Sequence, residues 1–227
     1  MQRRLTFRGR VARWWLARRH ATIVHLIFPE ARRDLELVAR TRRQVPLLVE
    51  DAAALEILAH VRAARRPGLA MAEAGVFAGG TARLICEAKG DAPLYLFDVF
   101  DAAPHSPGHE TAAELASRFS KLHVPRRDVE AALAGCAGVH FRPGLFPESA
   151  RGLEDLRFSF VHLDLDLESS TRAGLEFFYP RLCRGGILIG DDYNLASVRR
   201  PFDAFFAGRG DPVVALPWGQ VIVVRTE

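Results

Sequence analysis

From Gly68 onward, short apolar runs alternate with helix-patterned stretches, and this alternation restricts the fold more than any other feature of the chain. Strands are expected over Leu69–Ala74, Leu94–Phe97, Val139–Arg142, Phe158–Leu163 and Gly186–Ile189. Helices are expected over Gly79–Ala88, Thr111–Leu122, Arg127–Leu133, Leu175–Leu182 and Ser197–Phe206. Parallel strands need such crossovers, because a tight turn only joins antiparallel neighbours. Pro212–Leu216 and Val221–Val224 leave no room for a helix between them. Joined by Pro217-Trp218-Gly219-Gln220, they read as a hairpin that adds one antiparallel strand. The expected fold is α/β, with a doubly wound, mostly parallel seven-stranded sheet.

Residues 1–67 have a different texture and read as a basic N-terminal helical extension ahead of a domain spanning 68–227. Phe7, Val11, Trp14 and Trp15 fall on one helical face, a second periodic stretch runs over Pro29–Arg43, and a third over Glu50–Ala64. Pro46 separates the last two. Residues 1–47 hold twelve arginines against Glu30, Asp34 and Glu36, a net +9 within a chain of net +4. A basic helix of this kind can contact an anionic membrane surface or nucleic acid. The favoured reading is a solvated helical cap packed on the domain or on a second subunit, with no nucleic-acid partner and at most peripheral membrane contact. The apolar faces of residues 5–16 and 50–64 are too extensive for a free tail, so a homodimer built partly from these helices is expected. No apolar stretch approaches the ~20 residues of a spanning helix, and the N-terminus lacks the apolar core of a signal peptide. Cys86, Cys136 and Cys183 lack metal or disulfide spacing. A cytoplasmic location fits.

In a sheet of this type ligands bind outside the carboxyl ends of the strands, so the residues after each strand carry the functional reading. The first strand is followed by Glu73-Ala-Gly75-Val-Phe77-Ala-Gly79-Gly80-Thr81. This is neither G-x-G-x-x-G nor a G-K-[ST] phosphate loop. An acid before the turn repels pyrophosphate and suits a cationic ligand such as the sulfonium of S-adenosylmethionine. A ligand-free strand–helix turn remains the alternative. Asp98, 23 residues after Gly75, stands where an acid accepts hydrogen bonds from a ribose diol; an N-capping or solvated role is the alternative. Gly144 and Phe146 either wall an adenine ring or form a surface turn with a core phenylalanine.

The fourth strand runs into His162-Leu-Asp164-Leu-Asp166, and the fifth into Gly190-Asp191-Asp192-Tyr193. In an extended chain His162, Asp164 and Asp166 share a face. Neighbouring strands would bring Asp164, Asp191 and Asp192 together, and a hard divalent cation would relieve their repulsion. Asp166 reads as a cap and His162 as a core residue.

Together these residues carry a resemblance. Glu-x-Gly-Val-x-x-Gly-Gly-Thr, Phe-Asp-x-Phe-Asp, Gly-x-Phe, Leu-Asp-x-Asp-x-x-x-Ser-Thr and Gly-Gly-Ile-Leu-Ile-x-Asp-Asp-Tyr, over roughly residues 69–207, resemble the macrocin O-methyltransferase family. The resemblance implies a Rossmann-like class I methyltransferase that uses S-adenosylmethionine and Mg²⁺ to methylate a hydroxyl of a sugar or other small molecule. It implies Asp164, Asp191 and Asp192 as metal ligands, with Asp164 also the catalytic base. Glu73, Gly75, Phe77, Gly79, Thr81, Asp98, Gly144 and Phe146 become the cofactor-binding set. Glu168 departs from the pattern, since the family usually has an aromatic residue there, which points to a different acceptor pocket. Two other classes compete: a nicotinamide-dependent oxidoreductase, disfavoured by the glycine spacing and the lack of a Tyr-x-x-x-Lys pair, and a non-catalytic interaction protein working through its basic N-terminus.

Overall fold

The structure, a computed structural model, describes residues 31–101 and 124–227. Its elements in chain order are α1 (Arg32–Gln44), α2 (Asp51–Ala63), β1 (Ala70–Ala74), α3 (Gly80–Ala88), β2 (Leu94–Asp98), α4 (Arg126–Ala132) and β3 (Val139–Pro143). There follow β4 (Phe158–Leu163), α5 (Glu168–Phe178), β5 (Leu182–Gly190), α6 (Ala196–Phe206), β6 (Val213–Ala215) and β7 (Val221–Val224). The helix expected over Thr111–Leu122 and the Phe7–Trp15 face lie outside the described residues.

The seven strands form one sheet in the order β3-β2-β1-β4-β5-β7-β6. The first five are parallel. β7 runs against both of its neighbours, so it alone is reversed. The chain therefore winds outward from β1 in one direction and from β4 in the other. The β1–β4 junction is the topological switch point, where a crevice opens at the carboxyl ends.

Strand alternation divides the interior into two layers. Met71, Leu94, Leu96, Phe160 and Ile189 pack beneath α1 to α4, and Ala72, Phe97, Val161 and Leu188 beneath α5 and α6. Leu37, Val38, Ile57, Leu58 and Val61 from α1 and α2 belong to the first layer. The boundary drawn at residue 67 thus does not separate two cores: the described part of the N-terminal segment completes the sheet's own.

Two elements differ from expectation. α5 begins at Glu168, not Leu175, and ends at Phe178. Ser169, Ser170 and Thr171 are weak helix formers that disguise its first turn. β5 begins at Leu182, which the sequence suggested was the end of that helix. Gly185 has φ +71° and lies where the β4–β5 register jumps from Leu182 to Ile187, so a bulge interrupts the strand pattern.

Phe178 anchors the second layer. Its ring lies 5.2–5.5 Å from those of Phe97, Phe146, Phe158 and Phe177. Phe178→Ala should lower the unfolding free energy by ~3–5 kcal/mol, measured by denaturant titration.

Candidate functional site

Register places the candidate residues in two rows across the sheet. Leu96, Glu73, His162 and Ile189 are paired side by side on β2, β1, β4 and β5. Two residues further along each chain stand Asp98, Gly75, Asp164 and Asp191. The second row faces the crevice, and the first is covered by helices.

The β1–α3 turn is held from both sides. Gly75 has φ +90°, and a Cβ there would stand 1.8 Å from the carbonyl oxygen of Asp164. Only glycine allows β1 and the end of β4 to approach this closely. Gly80 packs as tightly on the chain between α1 and α2, where a Cβ would lie 2.4 Å from the Pro46 carbonyl oxygen. Asp98 fastens the turn itself: its Oδ2 accepts hydrogen bonds from the N–H groups of Val76 at 2.7 Å and Phe77 at 2.9 Å.

Phe77, Phe100, Asp166 and Asp192 have φ of 49°, 45°, 56° and 55°. These left-handed conformations are costly for non-glycine residues and persist where surrounding structure imposes them. All four occur in the loops that follow β1, β2, β4 and β5, around one crevice.

That crevice contains a cavity of about 470 Å³. Gly75, Phe77, Thr81, Asp98, Gly144 and Phe146 line it, as do Asp164, Asp191 and Asp192. Phe146 also belongs to the core, stacked 5.2 Å from Phe178. Gly79 and Glu73 are not among the lining residues. Gly79, at φ +84°, caps α3 against Val129. Glu73 was expected at the cofactor but lies in the covered row, wholly buried, where Nδ1 of His162 donates to its Oε1 at 3.0 Å. The reason is the strand pairing, which sets Glu73 beside His162 and one row short of the crevice.

Oxygens of Asp164, Asp166 and Asp192 come within 4.8 Å of one another. Asp166, read as a cap, stands one residue before the N-cap of α5, which is Leu167. The strand ends at Leu163, and the left-handed turn at Asp166 swings its carboxylate into this group. Asp191 lies on the other side of the group. Its Oδ1 accepts the Asp192 N–H at 3.0 Å, and its Oδ2 lies 3.8 Å from His162 Nε2.

No Lys, Arg or His lines the cavity among the described residues. Burial and then the Asp191 charge hold the Asp164 carboxyl well above the usual carboxylate range. Burial, followed by Asp166 and Asp191, lifts Asp192 to about 6. Burial opposes a charge on His162, but the hydrogen bond and charge of Glu73 outweigh it, and Asp164 and Asp191 add to lift the imidazole to about 9.

The macrocin O-methyltransferase (TylF) family model matches residues 53–216. The chain belongs to that family. It is 30% identical over 164 residues to the 8-demethyl-8-(2,3-dimethoxy-alpha-L-rhamnosyl)-tetracenomycin-C 4'-O-methyltransferase of Streptomyces olivaceus, a match covering 66% of this chain and 62% of that protein. The chain therefore spans less than two thirds of this relative's length. The solved O-methyltransferase NovP superposes with a TM-score of 0.64 at 25% identity, over 77% of this chain and 80% of that one. An O-methyltransferase from Bacillus cereus, solved in complex with SAH, has the same fold, with a TM-score of 0.59 at 17% identity over 90% and 96% of the two chains. The architecture is that of the Rossmann-like class I methyltransferases.

The sequence reading missed the contribution of Pro46, Leu48, Val49 and Glu50, which close this family member's cavity from the α1–α2 side. Nothing in that stretch signals chemistry; it enters only because Gly80 lets it approach α3. Asn194 and Trp218 line the other side, brought there by the hairpin, whose Gly219 carbonyl accepts the Tyr193 N–H at 2.7 Å.

Asp98→Ala would leave the Val76 and Phe77 N–H groups without their acceptor. Isothermal titration should show S-adenosylhomocysteine affinity weakened by ~1–3 kcal/mol, with a lowered melting temperature because the turn itself loosens. Unchanged affinity with a lowered melting temperature would confine Asp98 to a structural role.

Proposed function

We propose that this protein is a S-adenosylmethionine-dependent O-methyltransferase that methylates one hydroxyl of a vicinal diol, on a sugar or a natural product, with Mg²⁺ at its acid cluster. One observation carries the reading: a single cavity joins the glycine turn and Asp98 to Asp164, Asp166 and Asp192. Family membership and the sugar-methylating relative support the same class.

The cavity suits a cationic ligand because acids line it without basic side chains among the described residues. Asp98 Oδ2 holds the turn, and Oδ1, which accepts one long hydrogen bond from the Phe100 N–H at 3.4 Å, is the oxygen offered to a ribose. Phe146 offers ring surface to an adenine. The N-terminus of α3, at Gly80 and Thr81, offers backbone N–H groups to the amino-acid carboxylate.

The donor set also fits a hard cation. It is all oxygen, it converges within 4.8 Å, and the raised Asp164 and Asp192 carboxyls reflect burial and repulsion that a cation would relieve. Asp164 and Asp192 would hold it, with Asp166 or Asp191 completing the set. When bound, S-adenosylmethionine supplies an activated methyl group and Mg²⁺ lowers the pKa of a neighbouring hydroxyl. Asp164, which lines the cavity just beyond the end of β4, accepts the acceptor's hydroxyl proton. Leu48, Val124 and Leu167 add apolar surface to the cavity lining. The reading includes a homodimer.

The direct test combines the full chain, methyl-labelled S-adenosylmethionine, Mg²⁺ and a panel of vicinal diols, analysed by mass spectrometry. Label on one diol oxygen is expected; hydride exchange with NADH and no methyl transfer would replace the reading with the oxidoreductase one. Turnover should stop with EDTA and return with Mg²⁺ or Mn²⁺. Asp164→Asn should reduce kcat by ~10²-fold or more while S-adenosylhomocysteine binding persists.

The acid cluster also sets a pH dependence. Because the folded pKa of Asp192 is raised to about 6, ionising it as pH rises through that value costs the metal-free protein stability. Mg²⁺ should offset this cost, so the Mg²⁺-induced rise in melting temperature should be small near pH ~5 and larger near pH ~8. A pH-independent rise in scanning fluorimetry would contradict this coupling.

A further inference from the structure

Glu73 and His162 form a wholly buried polar pair between Met71 and Phe160 on one side and the crevice on the other. A buried pair of this kind costs desolvation that two apolar side chains would avoid, so packing alone does not explain it. The imidazole faces a carboxylate at each nitrogen. Nδ1 lies 3.0 Å from Glu73 Oε1, and Nε2 lies 3.8 Å from Asp191 Oδ2. Nε2 has no hydrogen-bond partner, although it is fully enclosed.

Asp191 is bonded at one oxygen and faces the imidazole with the other. Oδ1 takes the N–H of Asp192, and Oδ2 is turned toward the histidine. The left-handed turn at Asp192 then directs the next carboxylate to the opposite side, into the group with Asp164 and Asp166.

We propose that His162, fixed in orientation by Glu73, is a positioning residue: it anchors Asp191 through Nε2 and thereby aims the Asp192 carboxylate at Asp164 and Asp166. Glu73 thus acts from the covered row, through His162, on a cluster that it does not touch. The consequence for cation binding rests on the reading of the site given above; the anchoring contact lies within the chain itself. This is the arrangement by which carboxylates behind a site hold imidazoles and ligands in register, and losing such a support commonly weakens metal binding by ~10–100-fold.

Two measurements on the full chain test the proposal. In metal-free protein labelled with ¹⁵N-histidine, the His162 ring signals are assigned by their loss in His162→Gln. Asp191→Asn should shift the Nε2 signal and Glu73→Gln the Nδ1 signal, with the amide spectrum of the fold retained. Mn²⁺ titration followed by electron paramagnetic resonance should show His162→Phe binding ~10–100-fold more weakly than the unaltered chain, with S-adenosylhomocysteine affinity unchanged. A Nε2 signal indifferent to Asp191→Asn overturns the anchor, as does full Mn²⁺ affinity in His162→Phe. An unaltered chain that binds no Mn²⁺ but shows the Asp191-dependent shift retains the anchor and removes the cation reading instead. Should His162→Phe fail to fold, the Asp191→Asn spectrum still decides.

Discussion

The close approach of Gly75 to Asp164 is the constraint on which the site depends. β1 and β4 are adjacent at the point where the sheet's winding reverses, and their ladder continues past the strands: the Asp164 N–H donates to the Ala74 carbonyl at 2.8 Å. With no side chain at Gly75, the turn and the first cluster carboxylate share one wall of the crevice. Any larger residue would meet the Asp164 carbonyl and push apart the two halves of the cavity. Asp98 locks the same turn from β2, and Pro46 closes on Gly80 from the helical side.

This packing concentrates negative charge. Asp98, Asp164, Asp166, Asp191 and Asp192 all line one cavity, and the basic side chain behind them is His162, already engaged with Glu73. In a medium less polarisable than water such a set raises its own pKa values or attracts cations. Both of the ligands invoked for this family member, a sulfonium and a divalent metal, are cationic. The same acidic lining would therefore serve both, and behind it the covered row sets His162 against Asp191.

The helices before the sheet are part of the same unit. α1 and α2 contribute Leu37, Val38, Ile57 and Leu58 to the core, and the loop between them supplies one side of the cavity. The ion pair of Arg62 with Asp34 joins the two helices at the surface, where it adds little to stability; the buried aliphatic contacts hold them to α3.

The sequence alone determined the strand and helix alternation, the single reversed strand and the placement of most site residues after strands, because these depend on periods of 2 and 3.6 and on chain connectivity. It also carried the family, through motifs whose spacing is local. It misjudged what depends on neighbours. The start of α5 was hidden by Ser169, Ser170 and Thr171, whose weak helix preference tertiary packing overrides. The bulge at Gly185 interrupted the pattern of β5. Asp166 looked like a cap because nothing local reveals that a left-handed turn carries its carboxylate toward Asp192. Glu73 looked like a cofactor ligand because position after a strand says nothing about the row in which a side chain stands. Only the lateral register of β1 with β4, an interaction between residues 89 apart in the chain, decided that Glu73 meets His162 while Gly75 meets Asp164.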